Sequence, residues 1–375
     1  TCQQKGPQVT SQTVLREYRT EEPLDSIWMS REVLKRIENV ILEIITHLAK
    51  DEAPTLVLPN RSSWDNVSFD SAIGLQMSST SAVRTIRSDS CSSSLSTSNP
   101  QISFLFIFIV LHRDIYYNHP QLFGSQKIVD RIVDDVSCML KIPRRSLRVL
   151  ATSKGLISGD LCYMEEDGTR INCHSNSAAV AVSSNIAGIR NIVSSAKFIL
   201  VVEKDATFQR LLQDDFCTKL SPLIMITGKG FPDVNSRLMV RKLWDVLHVP
   251  VFTLVDADPH GIEIMCIYKY GSLAMSFEAQ SLTIPNVMWL GLLPSDLERL
   301  QVPRNALIPL TKADENKLNS LLKRPYVTAQ PEWLKEMMLM QKNRVKAEIQ
   351  SLAAIGPDFL TSIYLPNKLR FGGWL

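Results

Sequence analysis

The 375-residue sequence predicts an α/β + α protein, in which a winged-helix DNA-binding unit precedes a parallel-sheet α/β domain with C-terminal helices. Three observations predict it. Near-continuous apolar runs at 198–202, 223–227 and 251–255 alternate with helical patterns, as strands do when both faces of a parallel sheet are covered. Upstream, two short helical stretches lead into a turn-rich segment, with basic residues between, which is the outline of a winged helix-turn-helix. Downstream, helical patterns at 311–322 and 331–352 precede a compact tail ending Gly372-Gly373-Trp374-Leu375.

The elements follow in order. The first two dozen residues are polar and without apolar rhythm, and read as a mobile tail over 1–27. From Ser30, a capping residue, Val33, Leu34, Ile37, Val40, Ile41, Ile44, Ile45 and Leu48 recur at helical spacing until Pro54. That stripe is broad enough either to pack on its own domain or to dock a partner. Residues 78–98 are Ser-rich and cannot build a core. They run into Ile102-Ser103-Phe104-Leu105-Phe106-Ile107-Phe108-Ile109-Val110, a buried strand or an aggregation hazard. Ile128, Ile132, Val133, Val136 and Leu140 give a helix. A second short helical stretch starts at Pro143-Arg144-Arg145-Ser146, and the residues from Leu156 to Leu161, with Gly168, suggest a small hairpin.

Composition narrows the class. Hydrophobic residues at 45% and charged residues at 21% exclude a disordered or fibrous chain, and the length suits two cores. The 41 Lys+Arg against 38 Asp+Glu leave +3, so any contact with a polyanion must be local. The seven Cys show no paired spacing and read as thiols of a reducing compartment. No apolar run reaches the ~18 residues that a membrane span needs, so a soluble intracellular protein is expected. Because the sequence begins at Thr1, the absence of a leader carries little weight.

Glu203 ends one predicted strand, and Asp256 and Asp258 end another. Ligands of open parallel sheets bind beyond the carboxyl ends of the strands. Carboxylates gathered there repel one another unless a cation compensates them, and Mg²⁺ prefers oxygen donors. Each acid could instead cap the helix that follows it. Gly228-Lys229-Gly230 is not an ATP-binding loop, yet it would let backbone and ammonium approach a phosphate. In Arg113-Asp114-Ile115-Tyr116-Tyr117, a phenol is a nucleophile only with help, and Arg113 could stabilise a phosphorane; plain aromatic packing is the alternative. Arg144, Arg145, Arg148 and Lys154 form a local basic face, for DNA or for solvent. His174 beside Cys173 lacks the second pair that zinc would need.

Several motifs, in order, resemble the topoisomerase VI A-subunit family, and most closely its animal meiotic branch. They are Arg113-Asp114-Ile115-Tyr116-Tyr117, Gln121-Leu122-Phe123-Gly124, Arg144-Arg145-Ser146-Leu147 and Thr152-Ser153-Lys154-Gly155-Leu156-Ile157. Glu203-Lys204-Asp205-Ala206, Gly228-Lys229-Gly230-Phe231-Pro232-Asp233 and Asp256-Ala257-Asp258-Pro259-His260-Gly261 follow. The likeness covers 28–77 and 112–375. It implies a partner-docking helix at 28–53, a winged-helix domain at 54–190, and a Toprim domain with a helical extension at 191–375. It further implies Tyr117 as the nucleophile in meiotic double-strand-break formation, with Arg113 on the phosphate, and a 5′-phosphotyrosyl adduct as product. Glu203, Asp256 and Asp258 become Mg²⁺ ligands, and Lys154 and Phe231 become DNA contacts beside Arg144 and Lys229. Implied partners are double-stranded DNA, a second copy of the chain, a B-type subunit supplying the ATP site, and further break-forming accessory proteins. The implied place of action is the nucleus, on meiotic chromosomes, with no membrane.

The segment 89–111 departs from the family, which has a basic helical stretch there. Its composition changes abruptly at both ends, as alternative splicing or a mistranslated gene stretch would produce. A catalytically impaired DNA-binding or assembly subunit therefore stands beside the cleaving enzyme as an expectation. A Toprim-type nuclease that uses water in place of Tyr117 is the other rival.

Overall fold

The computed structural model describes residues 16–18, 25–87, 125–147, 149, 152–174, 178–220 and 222–375. Arg113, Tyr117, Arg148 and the segment 89–111 lie outside the described residues.

Of the 1–27 segment expected to be a mobile tail, residues 16–18 and 25–27 are described, and both stretches belong to regular elements. Strand β1 (Arg16–Tyr18) pairs antiparallel with β10 (Arg190–Ser194). Ladder bonds come from the backbone, so a short edge strand needs no apolar pattern. Helix α1 runs from Asp25 to Ala49 and so begins before Ser30, which lies inside it. Val33 and Ile37 of α1 pack with Leu58 of β2 (Thr55–Pro59) and with Val129, Val133 and Val136 of α2 (Gln126–Leu140). This is the smaller of two cores. Leu34, Leu42, Ile45 and Leu48 lie on the other side of α1, each more than half exposed. The stripe thus divides: one row is core, and the other faces solvent.

The Ser-rich stretch also yields structure, because β5 (Val83–Arg87) pairs antiparallel with β2. Asn66, fully buried, holds the connection by donating to the Asn60 and Ala82 carbonyls and accepting from Ala82 N at 2.9 Å. The hairpin of β3 (Val67–Asp70) and β4 (Gly74–Met77) leans on the other domain: Phe69 meets Tyr270 edge-on at 5.5 Å, and Leu75 belongs to the large core.

Beyond α2 the second helical stretch is a single 3-10 turn, Arg144–Leu147. The expected hairpin lies slightly later than predicted. It is β7 (Cys162–Met164) with β8 (Arg170–Asn172), in a four-stranded sheet ordered β1-β10-β7-β8. Strand β6 (Leu156–Gly159) pairs antiparallel with β12 (Ile224–Thr227) and so joins the large sheet, as does β9 (Val180–Ala181). The predicted 54–190 unit therefore lends its neighbour two strands, β6 inside the large sheet and β9 at its edge, which apolar periodicity could not reveal.

The large sheet has the order β14-β13-β11-β12-β6-β9. Strands β11 (Ile199–Val202), β12, β13 (Val251–Leu254) and β14 (Val287–Gly291) are parallel, and every residue of the first three is buried. The intervening helices are α3 (Asp205–Gln213), α4 (Val234–Leu247) and α5 (Pro259–Tyr270). Helix α6 (Lys312–Leu322) starts with a Thr311 capping box. Helix α7 (Pro331–Asn343) stops nine residues short of its predicted end, because Arg344 turns left-handed at φ 55°. The chain then runs as a strap through the short strand Val345–Lys346, bridged at Ala347 to Ala257. The tail packs against the large sheet, with Trp374 edge-on to Phe252 at 5.1 Å. Among the described residues, no helix is long and apolar enough to cross a membrane, and the five described cysteines are free.

Candidate metal centre and nucleic-acid interface

The carboxyl ends of β11 and β13 are neighbours, because those strands pair in register from Ile199↔Val251 to Val202↔Leu254. One residue beyond, Glu203 Oε2 accepts from the Asp256 backbone N at 2.8 Å. Asp256 is 2% exposed, and both of its oxygens are engaged. Oδ1 accepts from Ile349 N of the strap at 2.9 Å, and Oδ2 receives Lys204 Nζ at 2.7 Å. Asp258 caps α5, its Oδ1 accepting from Gly261 N at 2.6 Å. Gly261 must lack a side chain: a Cβ would stand 2.6 Å from Asp256 O and 2.9 Å from Glu203 Oε2.

Burial is the main cause that pushes the Glu203 carboxyl up to about 8, and the charges of Asp256 and Asp258 add to it. Burial also raises Asp256, against the pull of Lys204. Two buried acids short of positive charge, with a third at the helix cap, form an all-oxygen donor set of the kind Mg²⁺ takes. Among the described residues, no three His, Cys, Asp or Glu side chains are already arranged to hold a metal ion. Lys204 lies against Asp256, and Asp258 is turned to its cap.

The Glu203 shift sets a pH dependence. Folding raises this pKa from 4.5 to about 8, so between those values the folded chain keeps a proton that the unfolded chain releases. Stability therefore falls as pH rises through that window and stays low above it. Without added divalent cation, Glu203→Gln should stabilise the fold at pH 8.5 by on the order of 2–4 kcal/mol. The gain should vanish below about pH 4.5, and thermal melts across pH check it.

The phosphate-facing candidates divide. Lys229 (φ 53°) and Gly230 (φ 86°) form a left-handed turn after β12. Lys229 Nζ reaches Asp205 at 3.5 Å, and exposed Lys154 donates from Nζ to Lys229 O at 3.2 Å. Phe231 is 44% exposed, with its ring 6.5 Å from that of His260 on α5. Lys154, Lys229 and Phe231 thus share one surface near the acidic group. Arg144 does not join them. Its side chain is 13% exposed and pairs with Asp130 at 2.5 Å and Asp134 at 3.8 Å. Arg145 likewise pairs with Glu278 at 3.4 Å. His174 binds Asp160 at 2.6 Å.

Sequence reading missed two charged neighbours. Lys204 was visible beside Glu203 but carried no role. Glu348, whose Oε1 lies 3.1 Å from Lys204 Nζ, has no motif around it and arrives only because the strap is bridged to Ala257.

Residues 198–369 match the family model for the Toprim domain of the topoisomerase 6 A-subunit and Spo11, and residues 109–149 match "Type IIB DNA topoisomerase". The chain is 61% identical over 353 residues to the human meiotic recombination protein SPO11, covering 92% of this chain and 89% of that one. Identity to the mouse protein of the same name is 58% over the same shares. The A-subunit of Arabidopsis thaliana DNA topoisomerase 6 is 40% identical over 71% of this chain and 62% of its own. The parallel sheet with acids at its strand ends is therefore a Toprim domain, and the chain belongs to the family of Spo11 and the topoisomerase 6 A-subunit.

Proposed function

We propose that this chain makes DNA double-strand breaks in meiotic recombination, with Tyr117 as nucleophile. The observation that carries the reading is the placement of Glu203, Asp256 and Asp258 at adjoining strand ends, beside the Lys154–Lys229–Phe231 surface. This arrangement stands in a chain 61% identical to a human meiotic recombination protein. The Tyr117 oxygen forms a bond to phosphorus and the bond to the deoxyribose 3′-oxygen breaks. The phenolic proton is given up, and the 3′-oxygen takes one from solvent. One phosphodiester replaces another, so the exchange needs no ATP. Arg113 presents a planar cation to the phosphate, and Lys154 and Lys229 hold the flanking backbone. Glu203, Asp256 and Asp258 would hold Mg²⁺, which when bound neutralises charge on the phosphate and the leaving oxygen. Helix α2 and the Arg144–Leu147 turn, which share the smaller core with α1 and β2, serve as the winged-helix unit expected to carry Tyr117. Incubation with duplex DNA and Mg²⁺, then denaturant, should leave the chain joined to 5′ ends; free 5′ ends would contradict the reading.

The composition of 89–111 favours a second reading, a DNA-binding assembly subunit without cleavage, and the type IIB family model matches only from residue 109. The same assay separates the two.

The chain acts in the nucleus on meiotic chromosomes, as a dimer with a B-type subunit docked on α1 and with other break-forming accessory proteins. The docking row is Leu34, Leu42, Ile45 and Leu48. Leu42→Glu with Ile45→Glu should cut binding of that subunit at least about tenfold and leave the melt unchanged. Ile37→Ala, in the core, should instead cost about 2–4 kcal/mol of stability in denaturant titration.

A further inference from the structure

Lys204 sits between two carboxylates that come from distant parts of the chain. Its ammonium is 2.7 Å from Asp256 Oδ2 and 3.1 Å from Glu348 Oε1. Asp256 is almost fully buried, whereas the Glu348 side chain is 53% exposed. Glu348 is fixed next to the site by the Ala257–Ala347 bridge and by the Ile349 N bond to Asp256 Oδ1. A side-chain cation therefore rests on an oxygen of the proposed Mg²⁺ site, with a second anion at hand on its solvent side.

We propose that Lys204 is a built-in competitor for the divalent cation, and that Glu348 is the station to which its ammonium withdraws when the cation takes Asp256. The inference rests on the metal reading of Glu203, Asp256 and Asp258. A lysine suits the task because its ammonium is a point charge on a four-carbon stem and can change partner by rotation. The exchange keeps the buried carboxylate paired at every stage, since leaving one unpaired costs far more than moving an ion pair. Lys204 thereby sets the cation affinity low, so that loading becomes sensitive to any further positive-charge demand, such as a phosphate brought into the site. Glu348 opposes it by drawing the ammonium away. Both are positioning residues.

The test is titration of the full chain with Mn²⁺, followed by electron paramagnetic resonance, with Mg²⁺ in competition. Lys204→Met should tighten Mn²⁺ binding on the order of tenfold, because a competing charge is gone. Lys204→Arg, which keeps the cation, should stay within about threefold of the unsubstituted chain. Glu348→Gln should weaken binding several-fold, and in the Lys204→Met background that weakening should largely disappear, since Glu348 acts through Lys204. Unchanged or weaker binding by a folded Lys204→Met chain would overturn the proposal, as would a Glu348→Gln effect that persists without Lys204. If the unsubstituted chain binds no Mn²⁺, or Asp256→Asn binds as well as it does, the metal reading itself fails. That outcome is distinct from tight binding that ignores Lys204.

Discussion

Asp256→Asn is expected to abolish divalent-cation binding and to reduce DNA cleavage at least about a thousandfold while the chain stays folded. The carboxylate is buried, and its two oxygens already meet different partners, Ile349 N and Lys204 Nζ. Asparagine can keep the acceptor for Ile349 N, so the strap stays attached. Its amide then turns donor hydrogens toward an ammonium, and the site loses the negative charge that a cation would answer. The lost pair should cost about 1–3 kcal/mol, which a Toprim core of this extent survives. A melt lowered by a few degrees with no cation binding is the expected pairing. Full cleavage by Asp256→Asn would remove this residue from the metal site.

A mixed dimer of a Tyr117→Phe protomer and a Glu203→Gln protomer is expected to nick one DNA strand. A double-strand break needs one nucleophile per strand, so with Tyr117 as the proposed nucleophile two copies would face opposite strands across a two-fold axis. When each Tyr117 works with the Glu203, Asp256 and Asp258 of the other protomer, both lesions fall in one composite site and the second site is intact. When the sites are built within a protomer, each carries one lesion and the mixed dimer is dead. Gel analysis of supercoiled DNA distinguishes nicked from uncut product. A dead mixed dimer, folded and dimeric, contradicts the shared site.

The parallel sheet was legible because its strands are buried on both faces and so read as unbroken apolar runs, as at Ile199–Val202 and Val251–Leu254. The acids at their ends were legible for the same reason: a charge that stops such a run marks the strand end. Edge strands carried no such mark. Arg16–Tyr18 and Val180–Ala181 join sheets through backbone bonds that no side-chain pattern records. The α1 stripe announced its breadth but not its division into a buried row at Val33 and Ile37 and an exposed row at Leu42 and Ile45. Arg144 stands among basic residues in the sequence, and its pairing with Asp130 and Asp134, one turn apart on α2, is not legible there. Glu348 was invisible, since its contact with Lys204, 144 positions away, depends on where the strap lands.

The most direct measurement is the identity of the residue that joins this chain to DNA. Protein–DNA adducts recovered from meiotic cells under denaturing conditions, digested with nuclease and protease, should yield one modified peptide. The expected result is a nucleotide attached through its 5′ phosphate to Tyr117, present with Glu203, Asp256 and Asp258 intact and missing when any of them is replaced. Breaks that form with unmodified Tyr117, or adducts that map to Tyr116 or to any other residue, would contradict Tyr117 as the nucleophile.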